Sequence, residues 1–212
     1  MLHLKRFIFN PFSENTYIVY NDQKEAFLID PGNIQDFETA ELRDFIGKNQ
    51  LNIKNILLTH AHIDHVLGLQ WAYDTYQVPV LMSEGEKEIL DMNPMNARKY
   101  GFFFKPFEGK IQYIQEGENL HLGDDTFEVL SVPGHSPDHL AFYSKAGKIL
   151  VSGDVLFQGS IGRTDLYKGN FEQLLHSIRS KIFVLEDETS VHSGHGDTTS
   201  VGFEKHHNPF LK

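Results

Sequence analysis

The stretch Thr59-His60-Ala61-His62-Ile63-Asp64-His65 crowds three imidazoles and a carboxylate into six positions, directly after the run Ile53 to Leu58 and before an amphipathic segment. A buried strand delivering such a loop into a helix is an α/β arrangement, and little else aims so many donors at one point. With 12 histidines in 212 residues, HxHxDH is expected by chance on the order of a few times in a thousand such chains. Neutral imidazole and carboxylate are the donors that suit Zn²⁺, Fe²⁺ or Mn²⁺. A catalytic ion keeps one position open and so takes about three protein ligands. Four ligands in one loop therefore imply two metals.

The remaining ligands must come from later loops, and three candidates lie where strands end. They are His135 in Val132-Pro133-Gly134-His135-Ser136-Pro137, Asp154 in Ser152-Gly153-Asp154, and His195 in Gly194-His195-Gly196. Each has a flanking glycine, which permits the close backbone approach that a crowded metal site needs. Alone, any of the three reads as an ordinary turn residue. In this order behind HxHxDH they read as ligands, with Asp154 placed to bridge two ions. The cofactor expected is a pair of divalent metals, zinc first, with iron or manganese suited to the same donors.

Around these loops the pattern is that of strands and helices in alternation. Leu4 to Phe9, Thr16 to Tyr20 and Ala26 to Ile29 read as an opening β-meander. Asp36 is placed to cap a helix running to about Asn49, and Ile53 to Leu58 reads as a strand buried on both faces. Val66 to Tyr76 reads as helix, Val80 to Met82 as a short strand, and Ser83 to about Met92 as a helix in which Glu86 completes a capping box. The tract Asn93 to Gly109, rich in Phe, Pro, Gly and Met, reads as core packing, a linker, or a lid against substrate. Gln112 to Val151 returns to strands, with Gly123-Asp124 and Ala146-Gly147 as turns. Phe171 to Ile182 is amphipathic helix, and Ser190-Val191 opens the last strand.

Composition narrows the classes of function. The chain contains no cysteine, which excludes a disulfide framework, a thiolate metal site and a cysteine nucleophile, and fits a reducing, cytoplasmic setting. A formal net charge of −10 with scattered Lys and Arg disfavours nucleic acid and anionic membranes as partners. The apolar run near the start, Phe7-Ile8-Phe9, is too short for a signal or a span. The expectation is one domain over residues 1–212 acting on a small molecule.

HxHxDH followed by Gly-His-Ser-Pro, Gly-Asp and Gly-His-Gly resembles the metallo-β-lactamase superfamily across essentially the whole chain. Ile29-Asp30-Pro31-Gly32 and Gly159-Ser160-Ile161-Gly162-Arg163-Thr164-Asp165 are similar to its glyoxalase II-type hydrolases, and the ending Asn208-Pro209-Phe210 to the compact members among them. The resemblance implies an αββα sandwich, with His60, His62 and His135 on one metal, Asp64, His65 and His195 on the other, and Asp154 bridging. It also implies a thioester substrate such as S-lactoylglutathione or a related 2-hydroxyacyl thioester, attacked by a hydroxide shared between the ions. Asp138 replaces the family's usual glycine and is followed by His139. The chain ends soon after His195, without the C-terminal helical domain that longer glyoxalase II enzymes use to hold glutathione.

Asp64 is the residue assigned a catalytic role, orienting the water and shuttling a proton. Asp30 reads as a support behind the ligands or a turn cap. Arg163 reads as the partner of Asp165. His3, His121, His176, His192, His206 and His207 have no spacing partner and read as ordinary histidines, while Tyr143 and Tyr167 are candidates to line a pocket. The rival reading is an oxidoreductase like the persulfide dioxygenases, which use this fold with one iron held by two histidines and an aspartate. Lactamase or nuclease activity and a non-catalytic metal module rank below it.

Overall fold

The first strand, β1 (Leu2–Phe9), buries Phe7 and Phe9 and leaves Ile8 exposed, the period-two signature of a sheet with one face on a core. β2 (Glu14–Asn21) and β3 (Glu25–Ile29) continue it as an antiparallel meander. The computed structural model describes residues 1–101 and 103–212, and the chain falls into two compact units, Met1–Tyr113 and Ile114–Lys212.

In the first unit, β4 (Asn52–Leu57), β5 (Val80–Met82) and β6 (Ile111–Tyr113) join β3 in parallel, giving the sheet order β1-β2-β3-β4-β5-β6. Parallel neighbours need crossovers, and helices supply them. These are α1 (Asp36–Lys48) between β3 and β4, then α2 (Ile63–Val66) and α3 (Leu69–Tyr76) between β4 and β5. A 3₁₀ turn at Glu84–Glu86 and α4 (Lys87–Lys99) lead on to β6. Leu42 and Ile46 of α1, Leu69 and Ala72 of α3, and Ile89 and Leu90 of α4 share one core with the strands. Each large side chain so buried contributes about 1.5–3 kcal/mol.

Several local expectations are corrected. The cap of α1 is Gln35, not Asp36. The Glu38 carboxylate reaches back to accept the backbone N–H groups of Gln35, at 2.9 Å, and Ile34, at 2.7 Å. β4 is buried on both faces only from Ile56 onward, because Lys54 is exposed and pairs with Glu25. The helix read as Val66 to Tyr76 starts earlier and breaks at Gly68, whose N–H bonds to Pro31 O at 2.8 Å and where any side chain would collide with Asn33. α4 runs through Pro94 to Lys99, so Asn93 to Lys99 is helix rather than connector. Farther along that tract Phe104 and Phe107 pack on the first core, which favours the packing reading, and Phe102 lies outside the described residues.

The second unit carries its own sheet, ordered β14-β13-β10-β9-β8-β7. β7 (Asn119–Leu122), β8 (Asp125–Ser131), β9 (Leu140–Ser144) and β10 (Ile149–Gly153) form an antiparallel run, and β13 (Ser190–Ser193) adds parallel to β10. β11 (Leu156–Phe157) and β12 (Ser160–Ile161) make a small hairpin. The helix expected over Phe171 to Ile182 is α5 (Phe171–Ser177), capped by Asn170, and continues as a π-turn over Ile178–Ile182. The strand opening at Ser190 is not the last: β14 (Thr199–Ser200) and α6 (Val201–His207) follow. Leu174, Ile178 and Ile182 bury with Val132, Ala141, Leu150 and Val191 in the second core.

Candidate metal centre

β4 ends two residues before Thr59, and the chain turns there into α2, so His60, His62, Asp64 and His65 come together on one loop of the first unit. The ring centroids of His60 lie 4.7 Å from His62 and 4.1 Å from His65, and Asp64 Oδ2 stands 3.7 Å from His65 Nε2. His60 and His65 are fully buried.

The ring nitrogens of this loop are assigned by Asp30. Its Oδ1 accepts the Thr59 N–H at 2.8 Å, and its Oδ2 accepts the Thr59 hydroxyl at 2.6 Å and faces His65 Nδ1 at 3.1 Å. A carboxylate that accepts from Nδ1–H leaves the Nε2 lone pair of His65 for a metal. Thr59 has one hydroxyl proton, and it goes to Asp30; toward His60 Nδ1, 3.0 Å away, the oxygen is then the acceptor. His60 is set in the same tautomer. Asp30 holds a positive φ of 50° to do this, a conformation that Asp tolerates better than most residues. Asp30, His60 and His65 also lie close enough to suggest a metal triad of their own, but Asp30 Oδ2 is already engaged twice, so the three form a hydrogen-bond network.

Behind this layer lies Glu14, fully buried, with Oε2 accepting from the Thr16 hydroxyl at 2.9 Å and Oε1 3.9 Å from His65 Nδ1. Burial holds the Glu14 carboxyl well above the usual carboxylate range, and the His65 imidazole acts against that rise. Asn10 ties the loop down, its side-chain amide donating to Asp64 O at 2.9 Å and Gly32 O at 3.0 Å.

In the second unit His135, Asp154 and His195 converge. His135 Nδ1 donates to Arg163 O at 2.8 Å, which puts the ring's lone pair on Nε2, and that Nε2 lies 3.5 Å from Asp154 Oδ2. His195 Nε2 lies 3.5 Å from the same oxygen. Gly134 takes φ +136°, and a side chain there would strike the backbone of Leu174. Close approach thus requires glycine at 134, whereas beside His195 a side chain at Gly196 would meet open space. His139 is fully buried and its Nε2 accepts the Asp154 backbone N–H at 3.2 Å, so it supports the ligand segment. Arg163 pairs with Asp165 through two bonds of 2.6 and 2.7 Å, both residues exposed, and the guanidinium holds the Asp165 carboxyl down at about 2.

These donors fit divalent ions. At bond lengths of about 2.0–2.2 Å, two ligands on one tetrahedral ion stand about 3.3–3.6 Å apart, the range spanned by the pairs about Asp154 Oδ2. For His60, His65 and His135 the contact at Nδ1 leaves Nε2 as the nitrogen presented. The seven residues expected as ligands fall in these two clusters; the supports Thr59, Asn10, Glu14, Glu86 and Asn93 were not anticipated as such. Thr59 alone left a signal, as a polar residue next to the ligand run.

Matches with known proteins agree with this geometry. A family model described as the metallo-beta-lactamase superfamily matches residues 9–195. The hydroxyacylglutathione hydrolase GloC of Haemophilus influenzae is 39% identical over 202 residues, covering 94% of this chain and 93% of its own. Among solved structures, BLEG-1, described as a B3 metallo-beta-lactamase, superposes with a TM-score of 0.88 at 39% identity, covering 99% of this chain and 100% of that one. TTHA1623, solved in a di-iron-bound form, gives 0.88 at 35% identity, with 98% and 100% covered. ETHE1 from Myxococcus xanthus gives 0.79 at 26% identity, with 98% and 83% covered. The α/β class with two sheets, expected from the motif order, is that of these structures.

Proposed function

The chain belongs to the metallo-β-lactamase superfamily, and from that premise we propose that it is a two-metal thioester hydrolase. The relatives support a metal-dependent hydrolase; the number of ions and the thioester are our reading. The observation that carries it is the position of Asp154 Oδ2, 3.5 Å from the Nε2 of both His135 and His195. One carboxylate equidistant from two imidazoles suits a ligand shared between two ions, His60, His62 and His135 completing one and Asp64, His65 and His195 the other. Zinc is the metal we favour, with iron a close second given the di-iron TTHA1623.

Bound there, two divalent ions supply an acidified water and an electrophilic partner for a carbonyl oxygen. The chain's own residues then do the positioning. Asp64, anchored through its carbonyl by Asn10, orients the attacking water and takes its proton. Asp30 and Thr59 hold the His65 and His60 rings in register. Hydrolysis adds water across the acyl carbon–sulfur bond, yielding the acid and the free thiol. A 2-hydroxyacyl thioester of glutathione is the substrate we favour, by the likeness to GloC.

The likeness to ETHE1 gives the one-iron dioxygenase reading its footing, and BLEG-1 matches as well as GloC does in identity. The deciding experiment is a substrate panel on metal-saturated protein, with glutathione, coenzyme A and simple thiol esters, a β-lactam, and a persulfide with oxygen uptake followed. Thioester cleavage outpacing the others is expected. Persulfide-dependent oxygen consumption, or β-lactam cleavage, without thioester cleavage would overturn the proposal.

A further inference from the structure

Ala61 stands between His60 and His62, fully buried, and both of its backbone polar groups are taken by side chains from one helical segment. Its N–H donates to Glu86 Oε2 at 2.9 Å, and its C=O accepts from Asn93 Nδ2 at 2.9 Å. Glu86 closes the 3₁₀ turn before α4, and Asn93 lies seven residues on, within α4. Seven residues are close to two full turns, so both project from one face. Glu86 and Asn93 are themselves buried.

We infer that Glu86 and Asn93 are positioning residues that clamp the two peptide units flanking Ala61, and so fix where the imidazoles of His60 and His62 meet a metal. The inference rests on the proposed metal site. A buried peptide must have both polar groups satisfied, but a turn or a neighbouring strand does that without burying a carboxyl. Here the two peptide units that join His60 to Ala61 and Ala61 to His62 are each held by a side chain from outside the loop. Rotation of the first unit would displace His60, and rotation of the second would displace His62. The clamp acts through hydrogen bonds, so the acceptor at 86 and the donor at 93 are what matter.

Near-isosteric variants test it, because they split in outcome. Glu86→Gln keeps an acceptor for the Ala61 N–H, whereas Glu86→Met removes it; Asn93→Asp sets an acceptor against the Ala61 carbonyl. Affinity for Zn²⁺, read by competition with a chromophoric chelator, should stay within about threefold for Glu86→Gln and fall by about 10–100-fold for Glu86→Met and Asn93→Asp. The visible bands of the Co²⁺-loaded protein should shift in the latter two only, and thermal melting of each metal-free variant reports the structural component separately. If Glu86→Met does not fold, Glu86→Asp, which keeps the charge and shortens the reach, replaces it with the same expected loss. Variants that melt lower yet bind Zn²⁺ like wild type overturn the clamp, as does Glu86→Gln falling as far as Glu86→Met. A wild type that takes up no metal overturns the proposed site and the clamp together.

Discussion

Thr59 donates its hydroxyl proton to Asp30 across 2.6 Å, and that bond decides which nitrogen of His60 faces away from the protein scaffold. With the proton committed to the carboxylate, the oxygen turns a lone pair to His60 Nδ1, and Nε2 is left as the nitrogen that a metal would take. The tautomer of a proposed ligand is thus set through Thr59 by the carboxylate of Asp30.

Thr59→Ser and Thr59→Val separate this role from packing. Serine keeps the hydroxyl, and its metal affinity should remain within a few-fold of wild type. Valine keeps the shape and leaves two buried partners unmatched, so about tenfold or more in affinity should be lost. Equal Zn²⁺ affinity in the two variants, measured by chelator competition, would contradict the tautomer argument.

Asp30→Asn tests the carboxylate behind His65. Asparagine tolerates the positive φ at this position as well as aspartate does, so backbone strain is not the variable. The amide can accept with one atom only, and one of its contacts with Thr59 or His65 must be lost. Metal affinity should drop by about 10–100-fold while circular dichroism of the metal-free protein stays that of wild type. Unchanged affinity would leave Asp30 with a purely structural role.

The candidate ligands stand out in the sequence because metal chemistry draws on few residue types at tight spacing, so His60, His62, Asp64 and His65 announce one another. Their supports were not. Glu86 obeys the capping-box spacing from Ser83, and only the fold reveals that its carboxyl serves Ala61, 25 residues upstream. Asn93 precedes Pro94 in a tract that reads as a connector, yet α4 carries both, since packing of Leu90 and Ala97 overrides the local break. The break at Gly68 has the same origin, a contact with Asn33 that no local pattern encodes.

The C-terminal segment secures the second cluster at a distance. Glu204 of α6, fully buried, accepts the Gly159 N–H and the Thr199 hydroxyl, and Asn208 donates to Ser160 O at 3.0 Å and to Glu204 Oε2 at 2.7 Å. Both side chains hold the β11–β12 hairpin, whose far end bonds Gly162 N to Val155 O beside Asp154. Asn208→Ala leaves buried acceptors unmatched and should cost about 1–3 kcal/mol. Phe203→Ala on the exposed side of the same helix should stay within about 0.5 kcal/mol. Urea unfolding of both variants checks the contrast, and equal midpoints would show that the terminal clamp carries no load.

The number of ions separates the hydrolase from a one-iron oxidoreductase, and His195 and Asp154 respond to it differently. Asp154 Oδ2 lies 3.5 Å from His195 Nε2 and 3.5 Å from His135 Nε2, so under the shared-ligand reading its removal weakens both ions, whereas loss of His195 weakens one. Saturated wild type is expected to hold about two ions per chain. His195→Ala should retain about one, with His60, His62, His135 and Asp154 still in place, and lose most hydrolysis, because water is acidified from one side only. Asp154→Ala should fall below one ion at the same free metal. His207→Ala, at an exposed histidine whose Nδ1 is within hydrogen-bonding distance of the Phe203 carbonyl, should match wild type in both respects. Elemental analysis of the four proteins after identical metal loading and desalting reads the outcome directly. A wild type saturating at one ion, with that ion unmoved by His195→Ala, sinks the two-metal assignment and leaves the mononuclear reading standing.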